Sequence, residues 1–93
     1  MLEPQEVQKI MNYLLMSKRL FDKSTYKYGV YKQLLKEVYP RYNDYRIKKI
    51  FDDLLKMGHI FKVPSNKSFL YQFNSHIDMK EFYKDKAFIL YFD

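Results

Sequence analysis

Side chains that bind polyanions are concentrated between residues 41 and 49 of this chain. They are Arg41, Tyr42, Asn43, Tyr45, Arg46, Lys48 and Lys49. The planar guanidinium of arginine donates paired hydrogen bonds that match a phosphate or the edge of a guanine base, and lysines contact phosphates. We therefore predict nucleic-acid contacts from this segment, with Arg46 reading a base edge. The other cations of the segment would contact phosphates.

Three residues of the segment have a second interpretation. Asn43 can read adenine through its amide, but the same amide is a common cap for the start of a helix. Tyr42 and Tyr45 can donate hydrogen bonds to phosphates or pack on sugars and thymine methyl groups. In a chain with ten tyrosines they can equally be ordinary surface residues. Both interpretations stay open for each residue.

The positive charge of the chain forms a patch rather than an even background. The formal net charge is +6, from 17 Lys and Arg against 11 Asp and Glu. Residues 27–49 hold seven basic and two acidic side chains, residues 61–75 hold two basic and none acidic, and the remainder is close to neutral. Such a patch is typical of a nucleic-acid footprint, although a basic helix face can also simply be solvated. The two segments add further candidate contacts: Lys27, Lys32, Lys62, Asn66 and Lys67.

No arrangement in the sequence is typical of a catalytic or metal site. The chain has no cysteine, and His59 and His76 lie seventeen residues apart, without the spacing of a metal pair. Asp52 and Asp53 are adjacent, so on a helix their side chains diverge by about 100°. The two glycines stand alone and form no phosphate-binding loop. We predict no catalytic residue, no metal and no cofactor, and therefore no enzyme.

Nothing in the sequence predicts a membrane segment. The longest apolar run, residues 87–92, is far shorter than the ~20 residues that span a bilayer. Glu3, Glu6 and Lys9 interrupt the N-terminus, which is unlike a secretory signal. The lack of cysteine fits a reducing compartment. We predict an intracellular protein without a membrane partner, in the cytoplasm or, if the chain is viral, in that of the host.

Three segments have the periodicity of amphipathic helices. The first is predicted over about 4–17, and the second over about 28–38, where it ends before the helix-breaking Pro40. The third covers about 43–57, between a cap at Asn43 and a left-handed stop at Gly58. The core-facing residues are Val7, Ile10, Met11, Leu14 and Leu15, then Val30, Tyr31, Leu34, Leu35 and Val38, then Ile47, Ile50, Phe51, Leu54 and Leu55.

Two short alternating segments, residues 59–63 and 69–73, follow the third helix and predict a hairpin with a polar tip at 64–68. Residues 24–26 predict a further short strand before the second helix. The order of helix, proline turn, helix, glycine stop and hairpin resembles the winged-helix superfamily. Residues 53–60, Asp-Leu-Leu-Lys-Met-Gly-His-Ile, resemble the end of a recognition helix that runs into a wing.

The resemblance covers roughly residues 5–75, and within the superfamily the chain is similar to small transcription regulators of archaea and archaeal viruses. It implies a fold that is mainly α with a small β-hairpin (α+β), a winged helix-turn-helix. It also implies a recognition helix at about 43–57 in the major groove and a wing at about 60–73. Residues 1–75 are predicted to form this DNA-binding domain.

Residues 76–93 are predicted to form a C-terminal fourth helix of the same single domain. Asp78 and Glu81 have the spacing of a capping box, with Ile77 and Phe82 placed as its hydrophobic staple. Such a helix would expose apolar side chains that predict a homodimer interface: Phe82, Tyr83, Ile89, Leu90 and Phe92. Two alternatives stay open, because the segment could fold back on the first helix or form a strand over 88–92.

The functional hypothesis is a sequence-specific transcription regulator that binds double-stranded DNA as a homodimer. One alternative is a protein-interaction winged helix of a larger assembly, in which an acidic partner uses the basic patch. Another is binding of RNA or single-stranded DNA, with aromatic rings stacked on bases. That alternative needs an exposed aromatic row on a sheet, for which Phe69, Tyr71 and Phe73 are the candidates.

Overall fold

Three helices and one antiparallel hairpin make up the described part of the chain. The computed structural model describes residues 2–17, 20, 25–65 and 69–74. Its elements are α1 (Pro4–Leu15), α2 (Tyr28–Val38), α3 (Asp44–Lys56), β1 (Ile60–Pro64) and β2 (Phe69–Phe73). The prediction of a mainly α fold with a small β-hairpin is confirmed.

One hydrophobic core joins the three helices to the base of the hairpin. Each helix contributes an apolar stripe, because side chains three and four residues apart lie on the same helix face. The buried apolar residues are Val7, Ile10, Met11, Leu14, Tyr31, Leu34, Leu35, Ile47, Ile50, Phe51, Leu54 and Ile60. Burying a large apolar side chain stabilises the fold by about 1.5–3 kcal/mol. The core therefore fixes which face of α3 points outward.

Phe51 lies at the centre of an aromatic cluster that holds the hairpin against α3. Its ring centroid is 4.8 Å from that of Tyr28 and 4.8 Å from that of Tyr71, both edge to face. The Tyr31 hydroxyl donates to the Tyr71 carbonyl at 3.0 Å. Burial raises the pKa of the Tyr31 phenol, which keeps this donor protonated. Edge-to-face rings and a buried hydrogen bond together fix the position of β2.

Both ends of α3 follow from single residues. The Asn43 side chain accepts the backbone N–H of Arg46 at 2.9 Å and so caps the N-terminus. Gly58 has a φ of +80°, in the left-handed region that favours glycine. The N–H groups of Gly58 and His59 donate to the carbonyls of Leu55 and Leu54, which satisfies the last turn of the helix. The predicted cap and stop are confirmed.

The hairpin pairs Ile60 with Phe73 at its base and Pro64 with Phe69 at its outer end. Before α2, Tyr26 forms an isolated bridge with Tyr71, and the two residues exchange backbone hydrogen bonds of 2.9 and 2.8 Å. The predicted strand at 24–26 is therefore present as a bridge at Tyr26, whereas Ser24 lies outside the described residues. β2 lies between this bridge and β1.

Some predicted boundaries were wrong by one or two residues. α1 ends at Leu15 rather than near Ser17, and Leu15 is 39% exposed because it lies at the margin of the buried stripe. β1 begins at Ile60 because the N–H of His59 is used to close α3. Pro64, predicted in the tip, belongs to β1. The predicted C-terminal fourth helix, and its alternative strand, lie outside the described residues.

Candidate nucleic-acid interface

The outer face of α3, together with the turn before it, carries two parallel rows of residues, in which neighbours are four positions apart. The first, which we name the carboxylate row, consists of Asp44, Lys48 and Asp52. The second, which we name the aromatic row, consists of Tyr42 and Arg46 with Tyr45 and Lys49. Tyr45 is 68% exposed, and Arg46 and Lys49 are exposed as well. The predicted contact residues of α3 are therefore divided between two different environments.

In the aromatic row, each cation lies over a tyrosine ring. The Cζ atom of Arg46 is 3.8 Å from the centroid of the Tyr42 ring. The Nζ atom of Lys49 is 5.2 Å from the centroid of the Tyr45 ring. Neither cation forms an ion pair with another residue of the described ranges. A cation over a ring keeps its N–H groups available, since the ring face attracts charge without accepting a strong hydrogen bond.

In the carboxylate row, the charge of Lys48 is compensated by a neighbouring carboxylate. Lys48 forms an ion pair of 2.8 Å with Asp52, one helical turn further on. This hydrogen bond raises the pKa of the Lys48 ammonium. Lys48 also lies 5.2 Å from the Tyr28 ring centroid, on the side of α3 that faces α2. Of the lysines on α3 that were predicted to contact phosphate, Lys48 is the one whose ammonium is held by a carboxylate.

Asp44 connects the start of α3 to two lysines of α2. Its carboxylate oxygens lie 3.0 Å from Lys32 Nζ and 3.5 Å from Lys36 Nζ. The hydrogen bond from Lys32 is the main reason that the pKa of Asp44 is lowered. Lys36 Nζ also donates to the Tyr42 carbonyl at 2.9 Å. Lys32 was predicted to contact phosphate; in the structure it lies in an exposed ion pair, with which a phosphate would compete.

The remaining predicted contacts occupy the periphery of these rows. Arg41 is exposed in the turn between α2 and α3, and Lys27 is exposed at the start of α2. On the hairpin, Lys62 Nζ lies over the Phe69 ring, 3.7 Å from its centroid. Asn43 caps α3 through Oδ1, which is the competing interpretation of this residue. Asn66 and Lys67 lie outside the described residues, as does the predicted dimer interface from Phe82 to Phe92.

No family model, no curated protein and no solved structure matches this chain. Within residues 2–17, 20, 25–65 and 69–74, no helix is long and apolar enough to cross a membrane. No group of three or more His, Cys, Asp or Glu in the same ranges could hold a metal ion.

His59 and the hairpin aromatics bear on the other hypotheses. His59 is fully buried at the junction of α3 and β1, and burial lowers the pKa of its imidazole. Its backbone carbonyl accepts the N–H of Asn74 at 2.9 Å, a structural position. Tyr71 and Phe73 pack against the core, while Phe69 is 54% exposed. In the described part of the hairpin, this face therefore presents one exposed ring, with Lys62 over it, rather than a row.

Sequence reasoning missed the Asp44 contacts and the stacking of Tyr42 on Tyr39. Lys32 and Lys36 are four residues apart and share one face of α2, and Asp44 occupies the first position of α3. That spacing places both lysines on one face of α2, but it does not predict that this face meets the start of α3. The tyrosine stack crosses the turn around Pro40, where helical periodicity gives no information on side-chain direction.

Proposed function

We propose that this protein binds double-stranded DNA through α3 and the hairpin, and that it acts as a sequence-specific transcription regulator. The observation that carries the proposal is the aromatic row, in which Arg46 and Lys49 are exposed, cationic and held over rings. A groove-binding helix needs such side chains on its outer face, since phosphates and guanine edges accept hydrogen bonds.

The distribution of charge along α3 supports a docking direction. In helix-turn-helix proteins the N-terminal part of the recognition helix enters the major groove. The aromatic row occupies the turn before α3 and the first half of the helix, whereas Asp52 and Asp53 lie in the second half. Docking by the N-terminal half therefore brings Arg46 and Lys49 to the DNA. The two carboxylates are placed where the helix leaves the groove.

The element order supports a winged-helix arrangement for this interface. α2 and α3 are separated by a turn at residues 39–43, and the hairpin follows α3 directly. Tyr26 bridges to β2, so that a short extended segment before α2 flanks the hairpin. In the proposal β1 and β2 form the wing, and Lys62 contacts a phosphate beside the groove. Lys62 lies over the Phe69 ring in the same way as the cations of the aromatic row lie over tyrosine rings.

The proposal also includes a homodimer that places two copies of α3 one helical turn apart on DNA. Its basis is the apolar sequence of residues 82–92. Sedimentation should give twice the mass of 11.5 kDa for the chain. A Leu90→Glu variant should sediment as a monomer and lose affinity for a two-site DNA. A monomeric native protein would contradict the proposed homodimer but not the proposed binding of DNA by α3.

The direct test is a salt titration of binding to a mixed duplex pool, followed by selection of bound sequences. We expect log K to fall steeply with log salt, by about 0.9 for each phosphate contacted, and a roughly palindromic site to be enriched. Lys49→Gln is the test variant, and Lys56→Gln is its charge-matched control, because Lys56 lies in the last turn of α3, away from the proposed interface. Only Lys49→Gln should reduce the slope. No binding at low salt would refute the proposal.

A protein partner is the second candidate, and the exposed rings of the hairpin favour it. Phe61 is 46% exposed and Phe69 is 54% exposed, so both rings offer apolar surface to a partner. If duplex DNA does not bind, the hairpin and the basic face of α3 become the surface for an acidic partner. A Phe61→Ser variant should then lose the partner, while in the DNA hypothesis it should bind duplex normally.

A further inference from the structure

Arg46 occupies an electrostatically unfavourable position in α3. It is the third residue of the helix, and its own N–H is one of the donors at the N-terminus, bonded to Asn43. The partial positive charge of a helix N-terminus disfavours cations there and favours acids. Local helix stability alone therefore does not account for an arginine at this position. Another contact must hold its side chain.

Tyr42 provides that contact. The Cζ atom of Arg46 lies over the Tyr42 ring, 3.8 Å from its centroid, which is the contact distance of a planar group that packs against a ring face. Because guanidinium N–H groups lie in the plane of the group, stacking on one face leaves the donating edges uncovered. An arginine side chain otherwise loses rotamer entropy when it is fixed by a ligand. Holding it beforehand reduces this loss.

The Tyr42 ring is itself held from behind. It stacks on Tyr39 with a centroid distance of 4.7 Å and an angle of 9° between the planes. The Tyr42 N–H donates to the Tyr39 carbonyl at 3.1 Å, and the Tyr42 carbonyl accepts from Lys36. Ring and backbone are thus both restrained, so Tyr42 is a defined platform rather than a mobile surface tyrosine.

The far side of the stack rests on α1. The Tyr39 hydroxyl lies 3.5 Å from a Glu6 carboxylate oxygen, to which it donates, and Lys9 Nζ is 5.2 Å from the Tyr39 ring centroid. Burial and the Glu6 charge raise the pKa of Tyr39 to about 12, so the phenol remains a donor. The continuous stack therefore connects α1, through two rings, to the first turn of α3.

We propose that Tyr42 is a positioning residue that fixes the Arg46 guanidinium edge-outward for a base in the major groove. The proposal deepens the proposed function and rests on it. Tyr42 was predicted to contact phosphates or thymine methyl groups itself, and the stack gives it a different role. The same geometry makes Tyr39 the support of the platform, one layer further from the DNA.

The test compares Tyr42→Leu with Tyr42→Phe on the selected DNA site and on random duplex. A ring face is retained in the phenylalanine variant and lost in the leucine variant. Loss of an exposed cation–aromatic contact should weaken cognate binding by about two- to fivefold. Random duplex binding and the salt slope should not change, because no phosphate contact is removed. Tyr42→Phe should bind both DNAs as the native protein does.

Equal losses on cognate and random DNA in the leucine variant would overturn the proposal, as would unchanged cognate binding. A loss in Tyr42→Phe would assign the effect to the hydroxyl and would also overturn it. Melting temperatures of both variants, compared with that of the native protein, exclude a folding defect as the cause of a loss.

A measurement without DNA separates this proposal from the proposed function. Side-chain protons of Arg46 that lie over an aromatic ring are shifted upfield in the NMR spectrum. We expect that shift in the native chain and in Tyr42→Phe, and its disappearance in Tyr42→Leu. An unshifted Arg46 in the native protein overturns the platform even if DNA binds. A shifted Arg46 in a protein that binds no duplex keeps the platform and rejects the DNA function.

Discussion

The carboxylate row and the aromatic row of α3 differ in what holds their cations. Lys48 is bound by Asp52, and Asp44 binds Lys32 and Lys36 of α2. Arg46 and Lys49 lie over Tyr42 and Tyr45 instead. A carboxylate neutralises a cation, whereas a ring orients it and leaves its charge in place. The two rows therefore present different charge to a polyanion, because the one lysine of the carboxylate row is paired with an acid, whereas Arg46 and Lys49 form no ion pair within the described residues.

The largest expected effect is that of removing Arg46. In Arg46→Ala we expect specific binding to weaken by about 1–3 kcal/mol, because a guanidinium edge that reads guanine is lost. Random duplex should lose much less. Competition binding on the selected site, with every single-base variant of it, measures this and identifies the base concerned. Equal losses on all sequences would remove Arg46 from base reading and make the two rows alike.

The comparison between adjacent lysines should give the next largest effect. Lys49→Gln and Lys48→Gln remove the same charge from neighbouring positions of α3, but only Lys48 is paired with Asp52. We expect Lys49→Gln to reduce the salt slope by about 0.9, the value for one phosphate contact. Lys48→Gln should change the slope less, since Asp52 competes with the phosphate. Identical slopes in both variants would show that the ion pair does not restrain Lys48.

How far the sequence predicts this molecule depends on whether a feature is local. The three helices, the Asn43 cap and the Gly58 stop follow from periodicity and from single-residue chemistry, and all are present. The hairpin follows from alternation and is present with small shifts at its ends. These features depend on neighbours within about one helical turn or one strand.

The environment of each candidate contact residue was not predictable in the same way. Whether Lys32 is paired depends on how α2 crosses the start of α3, and that crossing is set by the whole core. The stack of Tyr42 on Tyr39 depends on the side-chain directions in a turn, which have no regular period. The candidate contact residues of α3 could therefore be predicted as a set from the sequence, but their division into two rows could not.

Releasing the lysines of α2 should strengthen nonspecific binding. In Asp44→Asn the carboxylate that binds Lys32 and Lys36 is lost, and one negative charge is removed beside the proposed interface. We expect tighter binding to random duplex and a salt slope that rises by up to about 0.9 for each lysine that reaches a phosphate. Asp53→Asn is the matched control, with the same charge change in the second half of α3. A larger gain in Asp53→Asn would contradict the assigned role of Asp44.

The smallest expected effect concerns stability in acid. Folding lowers the pKa of Asp44, chiefly through the hydrogen bond from Lys32. The folded pKa therefore lies below the ordinary aspartate pKa of 3.8, which applies to the unfolded chain. A group whose pKa is depressed by folding stabilises the protein above its unfolded pKa and loses that contribution as the pH falls through the folded pKa. The melting temperature of the native protein should therefore fall more steeply than that of Asp44→Asn on acidification below about pH 4.

Because Asp44 is exposed, solvent and salt screen the ion pair with Lys32, and the difference between the two proteins should shrink in high salt. If the melting temperatures of the two proteins fall in parallel with pH at low salt, the ion pairs of Asp44 compensate surface charge without stabilising the fold.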